Sequence, residues 1–490
     1  MLTGQHLPKL QRNGCDLPMD RRKLDAVKGT IFNVESALEL FLLTVVYYLV
    51  WKHYYHSYYE IGNGKYILLG VYAVLVLVIF DNLDGFQFGK LRRLELALSQ
   101  WIAMAIVNVV TYLQLCLIEN QITGVVPMLI VMGVDLVISV ACIFGYTAIY
   151  HKLYAPHSML MIYGTENAVG LMFKMDSWRD KYKVKKVISA DVGLDVICEE
   201  IKNYDSVILN DLHGKMRSDL MKFCYSNQIR VYIAPKITDI MLRGAKNIST
   251  FDTPLLLIRG TGLTAGQRFI KRLFDIVLCL VAMIIALPIM LIVAIAIKIE
   301  DGGPVFYTQK RATIGGKEFD ILKFRSMIVD AEKAGLSIPA TGNDPRITKV
   351  GRVIRATRID ELPQILNILK GDMSVVGPRP ERLEHVKEYS KEIPEFEYRL
   401  KVKGGLTGYA QIYGKYNTSA YDKLRLDMLY IENYSLALDI KLILMTLRIM
   451  LQRESTEGFE KTEELERRKQ EFLKEIKEND GEAEVPENVE

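Results

Sequence analysis

Long apolar runs limit what this chain can fold into more than any other feature of its sequence. Half of its residues are hydrophobic, more than most water-soluble proteins carry. Four runs in the first third approach or reach the length that a helix needs to cross a bilayer; they are Ala37 to Trp51, Tyr66 to Phe80, Trp101 to Ile118 and Val125 to Ile149. The sequence therefore predicts a membrane protein with a four-helix transmembrane bundle over residues 31–150.

Basic residues flank these runs unevenly. Residues 1–30, which include Lys9 and Arg12, and the loop after the second run, which holds Lys90, are both basic. The loop from Glu119 to Gly124 has no basic residue. Since cytoplasmic loops carry an excess of lysine and arginine, the first two segments are predicted to be cytoplasmic. Four crossings then return the chain to the cytoplasm, and because no cleavable signal peptide is recognisable, the first run should remain as an anchor.

The overall charge and the cysteines exclude functions rather than assign one. The net charge of +4 is small against 62 basic and 58 acidic residues, so nucleic acid is not predicted as a partner. The six cysteines are scattered without Cys-x-x-Cys spacing. Neither a zinc site nor a disulfide framework is therefore predicted.

Residues 151–256 have a different pattern, in which short apolar runs alternate with amphipathic stretches. This alternation is typical of parallel βαβ units and predicts a Rossmann-like α/β middle domain. Its first turn, residues 164–168, keeps one glycine where dinucleotide-binding turns have G-x-G-x-x-G. Nucleotide binding is therefore weakly supported here, and a structural or regulatory role is favoured.

A fifth apolar run, Phe274 to Ile299, covers 26 residues and would be about 39 Å long as a helix. Basic residues flank both of its ends, and Pro288 lies near its middle. Proline removes a backbone donor and bends a helix. We expect a re-entrant helix over residues 274–299 that breaks at Pro288 and leaves through the leaflet it entered, with a kinked ordinary span as the alternative.

Asp360 and Glu361 form a carboxylate pair inside a cationic stretch. A carboxylate can attack a phosphoryl group if a divalent cation and arginines offset the repulsion between the two anions. We expect Arg355 to lie near the pair on a helix and to bind phosphate. Arg358, directly before Ile359 and the pair, is a further candidate for binding phosphate or nucleotide. An isolated Asp-Glu pair is more often a solvated helix start.

Three further basic residues are candidates for binding phosphate or nucleotide. Arg379 lies between two prolines that rigidify its turn, although a surface ion pair with Glu381 or Glu384 is the alternative. Lys323 and Arg325 are weaker candidates that could instead face a lipid phosphate. Glycines 404, 405 and 408 are expected to form a flexible turn near the site.

The order of several short motifs from residue 271 onward resembles the bacterial sugar transferase family, the monotopic polyprenyl-phosphate glycosylphosphotransferases. These motifs are Lys271-Arg272-Leu273-Phe274-Asp275, Gly303-Pro304-Val305-Phe306, Lys323-Phe324-Arg325-Ser326-Met327, Arg358-Ile359-Asp360-Glu361-Leu362-Pro363-Gln364, Lys370-Gly371-Asp372-Met373-Ser374, Gly377-Pro378-Arg379-Pro380 and Gly405-Leu406-Thr407-Gly408. Together they predict an α/β catalytic domain over residues 265–453. The preceding bundle and middle domain resemble the large members of the family.

The resemblance implies a function. Such enzymes transfer a sugar-1-phosphate from a UDP-sugar to undecaprenyl phosphate, release UMP and require Mg²⁺, as the first membrane step of exopolysaccharide, capsule or O-antigen synthesis. Carried over, Asp360 would be the nucleophile and would hold the metal with Glu361. The resemblance also implies contact with membrane lipids, a homodimer, and a catalytic domain on the cytoplasmic face of the bacterial inner membrane.

Two other functions fit parts of the sequence. Membrane-bound sugar dehydratases share four spans and a Rossmann-like unit, but they need a second glycine-rich cofactor domain after residue 254, where this chain has its fifth apolar run. A non-catalytic membrane scaffold or regulator of polysaccharide assembly is the remaining alternative. Residues 454–490 are predicted to form a charged surface helix and an acidic tail that lacks the apolar residues to fold.

Overall fold

The structure is a computed structural model that describes residues 19–55, 62–89, 91–153, 156–165, 169–176, 178, 181–250, 252–329, 344–414, 418–450, 460–479 and 482–485. Lys9, Arg12, Lys90, the turn residues 166–168 and the end of the acidic tail lie outside these ranges. The chain forms two compact units, one of Met1–Ala234 with Arg467–Glu490 and the other of Pro235–Glu466.

Four long helices form a bundle in the first unit. They are α1 (Met19–Tyr54), α2 (Gly64–Asn82), α3 (Arg93–Ile118) and α4 (Val126–Leu153). Each helix contacts two of the others, so the bundle closes on itself. Its interior holds aromatic rings such as Tyr47 and Tyr72, stacked at 4.2 Å, whereas apolar side chains such as Phe41 and Val137 cover its outside. An apolar exterior on helices of this length is typical of a membrane protein, as the sequence predicts.

The same unit contains a five-stranded sheet. Its elements are β1 (His157–Tyr163), α5 (Val169–Asp176), β2 (Tyr182–Ser189), α6 (Leu194–Ile201), β3 (Ser206–Asn210), α7 (Gly214–Ser226) and β4 (Arg230–Ile233). Strands β2, β1, β3 and β4 are parallel in that order. Alternate residues of β1 enter two different cores, with Leu160 and Ile162 on one face and Met159 and Met161 on the other. Parallel sheets are covered on both faces, which explains why β1 is apolar on both sides.

Gly164, at the end of β1, has a packing role. A Cβ atom at this position would lie 2.2 Å from the carbonyl oxygen of Asp211. Only glycine permits this close backbone approach. The single glycine of the turn is therefore explained by contact with the loop after β3.

The C-terminal segment differs from its prediction. Helix α16 (Glu460–Glu478) buries Phe472 and Ile476 in the core that holds Met159 and Met161. Residues Glu482–Glu484 form β11, which pairs with β2 in the antiparallel sense. The acidic tail was expected to lack a fold because few of its residues are apolar, but a strand at a sheet edge needs mainly backbone hydrogen bonds. The prediction is wrong for the three residues of β11.

The second unit begins with α8 (Ile237–Arg243), β5 (Lys246–Ile248), β6 (Leu255–Leu257) and the long helix α9 (Ala265–Asp301). It continues with β7 (Phe306–Ala312), β8 (Glu318–Phe324), α10 (Lys349–Ala356), α11 (Gln364–Lys370), β9 (Ser374–Val376), α12 (Leu383–Glu392), β10 (Gly405–Thr407), α13 (Tyr409–Tyr413), α14 (Ala420–Glu432) and α15 (Leu436–Met450). Strands β7 and β8 form an antiparallel hairpin, and β9 and β10 pair in parallel. One hydrophobic core joins these helices and strands.

Helix α9 contains the fifth apolar run and presents two different faces. Its buried residues recur at helical spacing, as a stripe of Lys271, Asp275, Cys279, Ala286, Met290, Val293 and Ile297. The remaining faces are apolar and exposed, with Leu280, Ile284 and Ile292 each more than half exposed. Among the described residues, α9 is the fifth helix long and apolar enough to cross a membrane. The exposed faces are too apolar to be stable in water, since a patch of this size is typical of a membrane or protein contact.

Both ends of α9 bind to other elements of the second unit. Near its start, Lys271 Nζ lies 2.6 Å from Asp439 Oδ2 of α15, and Asp275 Oδ1 accepts the backbone N–H of Val375 at 3.1 Å. At its end, Glu300 accepts the backbone N–H of Lys349 at 2.7 Å, at the start of α10. The charged groups at the two ends of the apolar run therefore connect α9 to the same folded unit.

We predict that Phe472→Ala destabilises the first unit by about 3–5 kcal/mol, because it leaves a cavity in the core under the sheet. Limited proteolysis of the full-length protein in detergent measures this as faster cleavage between residues 156 and 234. The control Lys474→Ala changes an exposed side chain of the same helix and should leave the rate unchanged. Equal rates for both variants would show that α16 does not stabilise the sheet.

Candidate active site

The carboxylate pair lies just after a short helix. Thr348 caps the start of helix α10, since its side chain accepts the N–H of Gly351 at 2.9 Å, and the helix ends at Ala356. Arg358 then adopts a left-handed conformation with φ of 58°, and Ile359–Glu361 form a single 3₁₀ turn. The prediction that Arg355 and the pair share one helix is wrong, because the left-handed residue turns the chain between them.

Arg358 is an uncommon residue at a left-handed position. Residues other than glycine adopt this conformation at a cost of about 1–2 kcal/mol. This strained residue directly precedes the segment with the two carboxylates, and strained backbone is associated with functional sites. The arginine side chain itself is exposed, so it remains accessible to a ligand.

Two cations hold Glu361. Lys323 Nζ, from β8, lies 2.8 Å from Glu361 Oε1, and Arg379 Nη2 lies 3.1 Å from the same oxygen. Burial alone would raise the pKa of Glu361, but the positive charges of Arg379 and Lys323 together outweigh it and hold the pKa well below its ordinary value. Glu361 is therefore ionised across the physiological range and fixed in position.

The pKa of Asp360 shifts in the opposite direction to that of Glu361. Burial raises its pKa, and the negative charge of Glu361 adds to this effect, against the positive charge of Lys323. Its Oδ1 is buried and has no hydrogen-bond partner among the described residues. A carboxylate oxygen that is neither hydrogen-bonded nor solvated is an available nucleophile or metal ligand. This free oxygen distinguishes Asp360 from its neighbour.

The pKa values of Arg379 and Lys323 are also shifted in this site. Glu361 raises the pKa of Arg379, so the predicted alternative of an ion pair with Glu381 or Glu384 is replaced by the bond to Glu361. Burial lowers the pKa of Lys323, although Glu361 opposes the shift. Arg379 is about two-fifths exposed, and the free N–H groups of its guanidinium can bind an anion.

Close backbone contacts fix the turn that carries Arg379. A Cβ atom on Gly405 would lie 2.1 Å from the nitrogen of Gly377, and one on Gly408 would lie 2.1 Å from the oxygen of Gly377. The N–H of Gly377 also donates to Thr407 at 2.8 Å. The prediction of a flexible glycine turn is wrong, since these glycines allow two backbone segments to touch and so hold the arginine in place.

Arg325 binds residues at the end of α9 and not Glu361. Its Nε donates to the carbonyl oxygen of Pro304 at 2.7 Å, and its Nη1 lies 2.7 Å from Asp301 Oδ2. Its Nη2 bonds the other oxygen of Asp301. These bonds use the guanidinium at the end of α9, and the side chain is 7% exposed. We therefore assign Arg325 a structural role and correct its prediction as a phosphate ligand.

Two residues of the site were missed by sequence reasoning. Arg311 and Gln364 line a small pocket with Lys323 and Arg379. The Nε of Arg311 and the Nε2 of Gln364 are buried without a partner among the described residues. Burial, together with the nearby Arg379 and Arg382, lowers the pKa of Arg311 to about 10. Burial alternates along β7 and places Arg311 on the inner face of the hairpin, but the sequence of β7 has no matching alternation of apolar residues that could have predicted this.

The carboxylates fit a magnesium ion better than a metal that needs a protein cage. The described residues contain no group of three or more histidine, cysteine, aspartate or glutamate side chains that could hold a metal. Mg²⁺ is usually bound by one or two carboxylates, several waters and the phosphate oxygens of a substrate. The free Oδ1 of Asp360 and the second oxygen of Glu361 meet this requirement.

Because the pKa values of the two carboxylates shift in opposite directions, we predict that their substitution changes the stability of the protein in opposite directions. At pH 7, Glu361→Gln should destabilise the protein by about 1–3 kcal/mol, since it removes the negative charge that pairs with Lys323 and Arg379, whereas Asp360→Asn should stabilise it by about 0.5–2 kcal/mol. A carboxyl group whose pKa is lower in the folded than in the unfolded protein stabilises the fold, and this contribution is lost as the pH falls below the unfolded pKa. A carboxyl group whose pKa is raised on folding destabilises the fold, and this effect disappears over the same pH range. Both differences should therefore shrink below about pH 4.

Thermal unfolding of the two variants between about pH 3 and pH 7 tests this prediction. The control Glu384→Gln changes an exposed carboxylate of α12 and should behave as the unmodified protein. Destabilisation of the same sign and size for both variants would contradict the distinction between the two carboxylates.

Known proteins share this site region. Residues 266–453 match the family model of the bacterial sugar transferases. The UDP-N-acetylgalactosamine-undecaprenyl-phosphate N-acetylgalactosaminephosphotransferase of Aeromonas hydrophila is 38% identical over 255 residues, which are 51% of this chain and 59% of the relative. The UDP-glucose:undecaprenyl-phosphate glucose-1-phosphate transferase of Escherichia coli K12 is 40% identical over 210 residues, 42% of this chain and 43% of the relative.

These two matches span about half the length of the relatives. A shorter relative is covered more fully: the UDP-glucose:undecaprenyl-phosphate glucose-1-phosphate transferase of Caulobacter vibrioides is 41% identical over 186 residues, which are 37% of this chain and 69% of the relative. Residues 266–453, which the family model matches, contain both carboxylates and the cations that surround them. The chain therefore belongs to the bacterial sugar transferase family.

Proposed function

We propose that this protein transfers a sugar-1-phosphate from a UDP-sugar to undecaprenyl phosphate, giving undecaprenyl-diphosphate-sugar and UMP. The observation that carries the proposal is the free, buried Oδ1 of Asp360 beside a glutamate held by two cations. The names of the relatives supply the substrates, since each acts on undecaprenyl phosphate. The product would be the first membrane-bound intermediate of exopolysaccharide, capsule or O-antigen synthesis.

In the first step, a carboxylate oxygen of Asp360 attacks the phosphorus that carries the sugar. The bond from this phosphorus to the oxygen bridging the two phosphates breaks, and UMP leaves with that oxygen. The sugar phosphate remains attached to Asp360 as an acyl phosphate. The raised pKa of Asp360 makes the carboxylate a better nucleophile than an ordinary aspartate.

The surrounding cations are suited to the charge of a diphosphate. Arg358 is exposed and Arg379 is partly exposed, and Arg311 and Gln364 offer N–H donors that have no partner among the described residues, in a pocket that Arg379 also lines. Fixed donors and positive charges stabilise the charge that develops on transferred phosphoryl groups. Mg²⁺ held by Asp360 and Glu361 would supply further charge neutralisation.

In the second step, a phosphate oxygen of undecaprenyl phosphate attacks the same phosphorus, and Asp360 leaves as a free carboxylate. The diphosphate of the product is formed, and the enzyme returns to its starting state. Two half-reactions at one carboxylate allow a water-soluble donor and a lipid acceptor to use the same site in turn.

A re-entrant α9 would bring this site to the membrane surface. A spanning helix separates its ends by a hydrocarbon core about 30 Å thick, whereas both ends of α9 bind to elements of one unit. Its exposed faces are apolar between these ends. Pro288 lies inside a helix that continues from Ala265 to Asp301, so the break predicted at Pro288 is not seen. These contacts support a helix that enters and leaves through the cytoplasmic leaflet, with the site facing the cytoplasm.

The other unit has a supporting role in this proposal. The strand order of its parallel sheet supports a Rossmann-like domain of the kind found in the large members of the family. The homodimer and the inner-membrane location implied by the resemblance remain part of the proposal.

We predict that Asp360→Asn lowers turnover by on the order of 10³-fold or more, because a nucleophile cannot be replaced by a neutral amide. UMP release from a panel of UDP-sugars with undecaprenyl phosphate and Mg²⁺, using enzyme in lipid nanodiscs, measures this. Glu384→Gln is the matched control and should keep full turnover. Substantial activity in Asp360→Asn would refute the nucleophile, and no UMP from unmodified enzyme with any UDP-sugar would favour the scaffold.

We predict that both ends of α9 lie on one side of the membrane. In a cysteine-free background, Ala265→Cys and Pro304→Cys should react with a membrane-impermeant maleimide in inside-out vesicles but not in right-side-out vesicles. Gln121→Cys, in the loop between α3 and α4, should show the reverse. Labelling of the two α9 positions from opposite sides would show that the helix spans the membrane.

A further inference from the structure

Two carboxylic acids and two carboxamides are among the polar side chains in the interior of the transmembrane bundle. Glu39 of α1 and Asp135 of α4 are fully buried, and Gln100 and Asn108 of α3 are at most 4% exposed. Burying a carboxylate in an apolar environment is costly unless the charge is neutralised or paired. Ionisable groups inside membrane segments accordingly mark functional positions.

The four side chains form two pairs of the same kind, each of one acid and one carboxamide. Gln100 Nε2 donates to Glu39 Oε2 at 3.1 Å, and Asn108 Nδ2 donates to Asp135 Oδ2 at 3.2 Å. Gln100 also donates to the carbonyl oxygen of Gly85 at 2.9 Å. Each acid therefore receives one hydrogen bond from an amide of α3.

The remaining oxygens repeat the same pattern. Glu39 Oε1, Gln100 Oε1, Asp135 Oδ1 and Asn108 Oδ1 are all buried and lack a partner among the described residues. An amide oxygen can only accept, and an ionised carboxylate oxygen can only accept. A proton on each acid would supply a donor that these oxygens lack, and beside Glu39 the buried hydroxyl of Ser139 is a further neighbour.

The described part of the bundle supplies no cation that neutralises the two acids. Among the described bundle residues with buried side chains, none is a lysine, arginine or histidine. The other titratable groups that act on the acids are Glu35, Tyr72 and Cys142. None of these carries a positive charge, so neutralisation has to come from outside the chain.

We propose that each pair binds one proton, which is held on the acid and donated to the amide oxygen. A protonated carboxyl group and a carboxamide then form a ring of two hydrogen bonds, one in each direction. The two rings connect α1 and α4 to α3 through bonds that are specific in lipid, where helices do not associate through the hydrophobic effect. The bundle is thus a site for two protons that fix the arrangement of its helices.

Infrared spectroscopy of the full-length protein in nanodiscs tests this proposal. At pH 7 the unmodified protein should show carbonyl stretching bands of protonated carboxylic acids that shift in D₂O. Glu39→Gln and Asp135→Asn should each remove one of these bands, and the double variant should remove both. The control Asp81→Asn, at an exposed position near the end of α2, should leave the bands unchanged.

Thermal unfolding gives a second readout. Glu39→Gln and Asp135→Asn keep the ring, since a second amide supplies the donor, and should unfold at the temperature of the unmodified protein. Asn108→Leu leaves Asp135 without a partner and should unfold several degrees lower.

Two results would overturn the proposal. The first is that neither Glu39→Gln nor Asp135→Asn changes the carboxylic acid bands, which would mean that both groups are ionised. The second is that unfolding of the unmodified protein depends on sodium or potassium when compared with choline chloride at equal ionic strength, which would identify a metal cation in place of the protons.

Discussion

The bond network around Glu361 is the constraint on which the rest of the site depends. Lys323 and Arg379 both bind Glu361 Oε1, and this leaves the neighbouring Asp360 with a buried oxygen that has no partner in the part of the chain that the structure describes. If the cations instead bound Asp360, its pKa would fall and its oxygens would be occupied. The identity of the nucleophile in the proposed reaction therefore follows from which carboxylate the cations bind.

Three distant parts of the second unit hold this network together. Lys323 comes from the β7–β8 hairpin, Glu361 from the turn after α10, and Arg379 from the turn after β9. Asn367 of α11 joins the first two, because its side chain bonds the backbone of Leu322 and of Asp320 on β8 at 2.9 and 2.8 Å. The glycine contacts then fix the third. A site built from fixed elements loses little free energy to reorganisation when charge develops.

Helix α9 links this site to the membrane. Its buried stripe enters the core of the second unit, and its polar ends bind α10, α15 and the strand β9. The motif Lys271 to Asp275, which the sequence shows only as a conspicuous charged group before an apolar run, is accounted for by these bonds. Arg325 belongs to the same set of contacts, since it binds the last residue of the helix.

The sequence was sufficient for features that depend on local pattern. Apolar length predicted the four bundle helices, and alternating runs predicted the parallel strands of the middle sheet. Asp360, Glu361, Lys323 and Arg379 were also predicted, and the structure brings them together. Contacts between separate segments were not predictable in the same way. Examples are the bonds of Arg325 to Asp301, the contacts of Gly405 and Gly408 with Gly377, and the pairing of β11. The turn before the carboxylates was not predictable either, because it depends on the left-handed conformation of Arg358.

The most direct test is mass spectrometry of the enzyme quenched after mixing with UDP-sugar and Mg²⁺ in the absence of undecaprenyl phosphate. The account predicts that the peptide containing residues 359–361 gains the mass of a sugar phosphate on Asp360, and that adding undecaprenyl phosphate removes it. An adduct on Glu361 or on any other residue, or UMP formed only when both substrates are present and without any adduct, would contradict the central claim.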